Sequence, residues 1–185
     1  PISVYNKTKM IAERVFLSYK DKLDVTCLRP ATVCGVSNRL RLDVTVNKLT
    51  FDAFYRKKIF VDGGGQVRPN IHLEDIVRII DHFALSKKKF KHNIYNIGFE
   101  NLSILQIAKK VKKKLNVEIF INKAKDIRSY RQDSSRLLLT GFRPKYNVEL
   151  AINQLLSYFK KHKLKKFGTN NFNLKKMKKL KIDKI

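Results

Sequence analysis

Tyr5 and Lys9 stand four residues apart in the run Pro1-Ile2-Ser3-Val4-Tyr5-Asn6-Lys7-Thr8-Lys9, with Glu13 one turn further on. On a helix that spacing puts the two side chains on one face. A cationic amine beside a phenol stabilises the phenolate and lowers its pKa from about 10. Such a pair suits a step in which a hydroxyl gives up its proton while a hydride leaves the same carbon. A Lys-rich chain also produces Tyr-x-x-x-Lys spacings by chance, so the pair carries meaning only alongside elements that hold it against a ligand.

A second group of candidate residues lies in Val61-Asp62-Gly63-Gly64-Gly65-Gln66-Val67-Arg68-Pro69-Asn70-Ile71-His72. Three glycines allow close backbone approach. Arg68 offers the planar, permanently charged fork that suits bidentate phosphate recognition; the plainer alternative is a surface ion pair. His72, beside apolar residues, reads as a packed, hydrogen-bonded side chain. Cys27 and Cys34 lack metal-ligand spacing, and Cys34 reads as a packing residue because no base is placed near it.

The elements that must position these groups follow from periodicity. Ile11, Val15, Phe16 and Tyr19 recur at helical spacing over residues 5–20. Residues 24–29 read as a strand of β-formers stopped by Pro30, and residues 30–35 as the loop leaving it. A helix followed closely by a strand is half of a βαβ unit, and ligands bind at the carboxyl ends of strands in such sheets. Further along, the pattern predicts helices over 44–54, 74–84, 103–114 and 148–159. Strands are predicted at 59–61, 95–98 and 118–121, with an extended piece at 70–73. Ser103 is a predicted N-cap, and Glu74 and Asp75 fit a helix first turn.

Composition bounds the rest. The chain has 185 residues, a hydrophobic fraction of 43% and a net charge of +26. No apolar run approaches the roughly 20 residues of a membrane-spanning helix. With two cysteines and no export signal, a reducing cytoplasmic setting is expected. Residues 160–185 hold eleven lysines and one Asp, and their weak apolar periodicity predicts a disordered tail. The lysine runs lack interleaved Arg and a stacking aromatic pattern. A solvated surface is therefore favoured over a specific nucleic-acid or membrane partner.

Four ordered blocks resemble one family. Pro1-x-Ser3-x-Tyr5-x-x-Thr8-Lys9-x-x-x-Glu13 resembles the active-site helix of the extended short-chain dehydrogenases/reductases. Leu28-Arg29-Pro30-Ala31-Thr32-Val33-Cys34-Gly35 is similar to the family's Leu-Arg-Pro-x-x-Val-Tyr-Gly loop, with Cys34 where Tyr is usual. The block from Val61 to Asp75 resembles the Gly-Asp-Gly-x-Gln-x-Arg-x-x-Ile-His-Val-x-Asp segment of NAD-dependent nucleotide-sugar epimerases and dehydratases. Asp126-Ile127-Arg128-Ser129-Tyr130-Arg131-Gln132-Asp133 and Leu139-Thr140-Gly141-Phe142-Arg143-Pro144 are similar to that family's C-terminal stretch.

The resemblance implies an α/β fold: the C-terminal portion of a Rossmann-type doubly wound parallel sheet plus the smaller α/β substrate-binding domain. Residues 1–35 would end the NAD-binding domain, 36–160 would mainly bind substrate, and 161–185 would be the tail. The family's Gly-rich phosphate loop and catalytic Ser or Thr have no counterpart in the sequence, so the chain is expected to be part of a longer enzyme and inactive alone. By resemblance Tyr5 and Lys9 are catalytic and contact the cofactor, and Pro30, Thr32 and Val33 line the nicotinamide pocket. Asn47, Arg68, Asp126 and Arg128 would hold a nucleotide-diphosphate sugar. The implied reaction is epimerisation through a keto intermediate, with a 4,6-dehydratase or reductase as the alternative. The implied cofactor is NAD, with NADP as the alternative, and the implied assembly is a homodimer; no metal is expected. A basic binding module on a degenerate enzyme fold and a non-functional remnant are the readings from other classes.

Overall fold

The chain, described here over residues 3–123 and 128–180 in a computed structural model, begins with helix α1 (Val4–Ser18). Ser3 starts it by accepting the Asn6 N–H at 3.2 Å, which satisfies a donor the first turn would otherwise leave unpaired. Strand β1 (Cys27–Pro30) follows, then β2 (Thr32–Cys34). The loop expected over 30–35 is therefore largely a strand. Ala31 donates to Ile97 O at 2.9 Å, and the chain then changes partners from β5 to β4. Thr32 and Val33 are β-formers, but only the neighbouring strand makes them a strand.

Helix α2 (Thr45–Phe51) widens into a π turn over Asp52–Arg56 and stops at Lys57, which takes a left-handed φ of 57°. Strands β3 (Lys58–Asp62) and β4 (Val67–His72) flank the glycine turn, and α3 (Leu73–Ala84) follows. Then come β5 (Ile94–Ile97), β6 (Glu100–Ser103), α4 (Ile104–Leu115) and β7 (Glu118–Asn122). The short α5 (Ser135–Leu138) precedes α6 (Val148–Lys160). Ser103 caps α4 as expected, and Gln106 completes a reciprocal capping box with it.

Strands β1 and β5 pair in parallel, as do β3 and β7. Strand β4 lies between β2, parallel to it, and β6, antiparallel to it. Parallel pairs joined through helices are the α/β arrangement predicted from the sequence. One core is built from α2, β3, α4 and α6, with Val46, Ile59, Val61, Ile107, Ile152, Leu155 and Phe159 buried. A second, around β5 and α3, holds Ile71, Ile79, Tyr95, Ile97, Leu137 and Phe142.

Residues 161–180 depart from the disorder expected of residues 161–185. Two 3-10 turns (Leu164–Lys166 and Thr169–Asn171) lead to α7 (Asn173–Lys179). Phe167 and Phe172 pack edge-on against Phe51 at centroid separations of 5.6 and 6.4 Å. The lysines dominate the composition, but two well-spaced aromatic residues are enough to fix the path.

Candidate active site

A cleft of about 740 Å³ opens where β1 ends, β2 begins and α2 starts. Tyr5, Pro30, Thr32, Val33 and Asn47 line it, so five of the predicted site residues converge there. Lys9 lines an adjoining open groove of about 1300 Å³ between α1 and β1, which Tyr5 and Pro30 share. The Lys9 ammonium lies 5.7 Å from the centroid of the Tyr5 ring. The helical spacing read from the sequence thus places the pair together, at the junction of the two depressions. Tyr5 is 67% exposed.

Helix α1 buries none of its residues. It is tied to β1 by a two-pronged ion pair in which Arg29 Nε and Nη2 donate to Glu13 at 2.8 and 2.6 Å. The Arg29 hydrogen bonds hold the Glu13 carboxyl below its ordinary pKa. Glu13, read from sequence as a surface or packing residue, therefore links the Tyr5 helix to the strand carrying Pro30.

Asn47 is buried, and its amide joins the strand end to the loop after it. Its Oδ1 accepts from Gly35 N at 3.1 Å, and its Nδ2 donates to Gly35 O at 3.2 Å and Arg41 O at 2.9 Å. Arg68 and Arg128 do not line the cleft. The Arg68 guanidinium donates to Val67 O and Arg128 O and sits 5.3 Å from the ring centroid of Tyr130, which does line it. Asp126 lies outside the described residues. His72 is buried, accepts from Glu74 N at 3.1 Å and meets Gln154 Oε1 at 2.9 Å, so it caps α3 and ties it to α6. Cys34 is buried with its thiol 3.4 Å from Ile71 O, and burial pushes its pKa up to about 12.

Three arginines in the cleft wall were not singled out from the sequence: Arg39, Arg41 and Arg131. A signal for the first two exists in Arg39-Leu40-Arg41-Leu42, where Leu40 and Leu42 are buried and the arginines face out. Gly98 makes the neighbouring wall possible. A Cβ there would lie 2.5 Å from Ala31 Cβ and 2.4 Å from Gln132 Oε1, and both residues line the cleft. Among the described residues no His/Cys/Asp/Glu group is arranged to hold a metal ion, and no helix is long and apolar enough to cross a membrane.

A dinucleotide would need a nicotinamide wall and a pyrophosphate platform. The residues at 30–33 with Tyr5 fit the first. The glycine turn does not fit the second: it joins two strands, and at Gly64, φ +106°, an added Cβ would lie 3.2 Å from Leu105 Cβ and Val61 Cγ1.

Several solved structures share this fold. An NAD-dependent NDP-hexosamine 5,6-dehydratase of tunicamycin biosynthesis is 21% identical, with a TM-score of 0.76 over 89% of this chain and 56% of that one. UDP-glucuronic acid 4-epimerase from Bacillus cereus, solved with UDP-glucuronic acid and NAD, is 23% identical, with a TM-score of 0.72 over 87% of this chain and 54% of that one. The dTDP-glucose 4,6-dehydratase of Bacillus anthracis, solved with NAD, is 23% identical, with a TM-score of 0.72 over 88% and 54%. The likeness shows a Rossmann-type α/β fold, and the chain spans about half the length of these structures. The family model described as NAD dependent epimerase/dehydratase family matches residues 1–98, more than half of the chain. With the Tyr5–Lys9 helix and the strand ends at residues 30–35 both inside that match, the chain belongs to the NAD dependent epimerase/dehydratase family.

Proposed function

We propose that this chain carries the acid/base pair and the substrate-binding half of an NAD-dependent nucleotide-sugar epimerase. The observation that carries the reading is Tyr5 at the mouth of the strand-end cleft with the Lys9 ammonium beside its ring. Tyr5 Oη acts as the base that takes the proton of a sugar hydroxyl, and the Lys9 ammonium favours the anionic oxygen that accepts it. Pro30, Thr32 and Val33 form the wall that orients the reacting sugar carbon and excludes water. NAD, when bound, would supply the hydride acceptor and donor, and delivery of the hydride to the other face of the keto sugar would invert the stereocentre. Asn47 holds the loop at the cleft's edge. Arg68, Arg128 and, outside the described residues, Asp126 are assigned to the nucleotide-diphosphate part of the substrate.

The proposal includes a longer enzyme that supplies the pyrophosphate platform, with two such enzymes pairing as a cytoplasmic homodimer. Supporting it are the unpaired outer edge of β1, which has β5 as its one neighbour among the described residues, and the unburied helix beside it. The test is made in the complete enzyme: Tyr5→Phe lowers epimerisation of a UDP-sugar by roughly 10²–10⁴-fold, the usual contribution of a positioned acid/base. An unchanged rate in that variant overturns the assignment.

A further inference from the structure

Residues 39–43 form one side of the cleft, and they are gripped from behind by a stretch 131 residues further along the chain. Leu42 N donates to Asn171 O at 2.8 Å, and Asn171 Nδ2 donates to Leu40 O at 2.8 Å. The Arg39 guanidinium donates to Asn173 Oδ1 at 2.7 Å. Asn173 N donates to Asp43 Oδ2 at 2.7 Å, while the other Asp43 oxygen accepts from Arg41 Nε at 2.9 Å. Two of the three arginines that line the cleft are thus oriented by residues 171–173, Arg39 directly and Arg41 through Asp43. The segment is itself anchored: Phe167 and Phe172 pack on Phe51, and Asn171 Oδ1 accepts from Gly168 N at 3.0 Å.

We propose that residues 167–173 are a clamp that holds Arg39 and Arg41 at the cleft as further contacts to the substrate's phosphate groups, beside those assigned to Arg68, Asp126 and Arg128. This rests on the reading of the cleft as a nucleotide-sugar site and adds to the residues that take its anionic part. Arginine suits phosphate because its planar fork gives two parallel, charge-assisted bonds. A long side chain left free loses rotamer freedom when it binds, which weakens the contact. Asn173 restrains Arg39 in advance and spends one donor of five to do so. Asp43 does the same for Arg41 and draws its position from the Asn173 backbone. Asn171 and Asn173 are positioning residues in this scheme, and the arginines make the contact.

The experiment is calorimetric titration of the chain with UDP and with uridine, for wild type, Asn173→Ala, Arg39→Ala and the double variant. Asn173→Ala is expected to weaken UDP binding by roughly tenfold, the scale of one lost interaction with a charged group, and to leave uridine binding unchanged. In the Arg39→Ala background the same substitution is expected to have no further effect, because it acts through that arginine. Equal losses in both backgrounds, or loss of uridine and UDP binding together, would show a general structural role and overturn the proposal. A wild type that binds UDP while Asn173→Ala changes nothing overturns the clamp and leaves the nucleotide-sugar reading standing. A wild type that binds UDP no more tightly than uridine overturns both. If Asn173→Ala fails to fold, Asn173→Ser, which keeps a short hydroxyl at the first position of α7, carries the same comparison.

Discussion

At the scale of single residues, chemistry and packing are separated by exposure. Tyr5 and Lys9 are accessible and lie on a helix without buried residues, so their reactivity is set by what docks against them. Cys34 is the opposite case. It stands where the family usually has Tyr, yet burial raises its thiol to about 12, and the thiolate is the reactive form. At pH 8 the native chain is therefore expected to react with Ellman's reagent at Cys27 and not at Cys34, with both reacting after unfolding in urea. Equal native rates at the two cysteines would show that the buried position is a misreading. The Glu13–Arg29 ion pair, half exposed on its arginine side, is one of the links between the Tyr5 helix and β1.

At the scale of elements, local rules and tertiary partners share the work. Helix α4 was legible from Ser103 and the helical pattern after it, and the lysines of its last turn suit the helix dipole. Ser103→Ala removes one arm of the capping box and is expected to cost about 1 kcal/mol, read as a lower urea midpoint at unchanged m-value. No change in midpoint would mean that tertiary packing alone defines that helix start. Strands β2 and β6, three and four residues long, were not legible. Length alone is not the cause, since β1 and β5 have four residues each and were predicted; β2 and β6 exist because β4 lies beside each of them.

At the scale of the molecule, α1 and its C-cap Tyr19 present two faces. Tyr5, Lys9, Ala12 and Phe16 face the groove beside β1, whereas Val4, Ile11, Val15 and Tyr19 are exposed and lie outside that groove. The first face suits the rest of an α/β sheet, and the second suits a second copy of the helix. Replacing Ile11 and Val15 together by Lys is expected to raise the monomer fraction in sedimentation, with the far-UV spectrum unchanged because neither residue is in the core. A monomer fraction equal to that of wild type would exclude this face as the pairing surface. The net charge of +26 works against self-association at low salt, so the comparison belongs near physiological ionic strength.

The sequence by itself determined the family, the α/β class and the Tyr5–Lys9 pair, because these depend on side-chain types and on spacings of a few residues. It also indicated Pro30, Thr32, Val33 and Asn47, which the fold gathers at one cleft. Only the tertiary structure decided that Arg39 and Arg41 join them, that Arg68 stacks on Tyr130 outside the lining, and that the lysine-rich end folds back onto residues 40–43. The physical reason is sequence distance. A helix face is fixed by neighbours one turn away, but contacts such as Asn171 with Leu40 depend on buried aromatic packing that closes a loop across most of the chain.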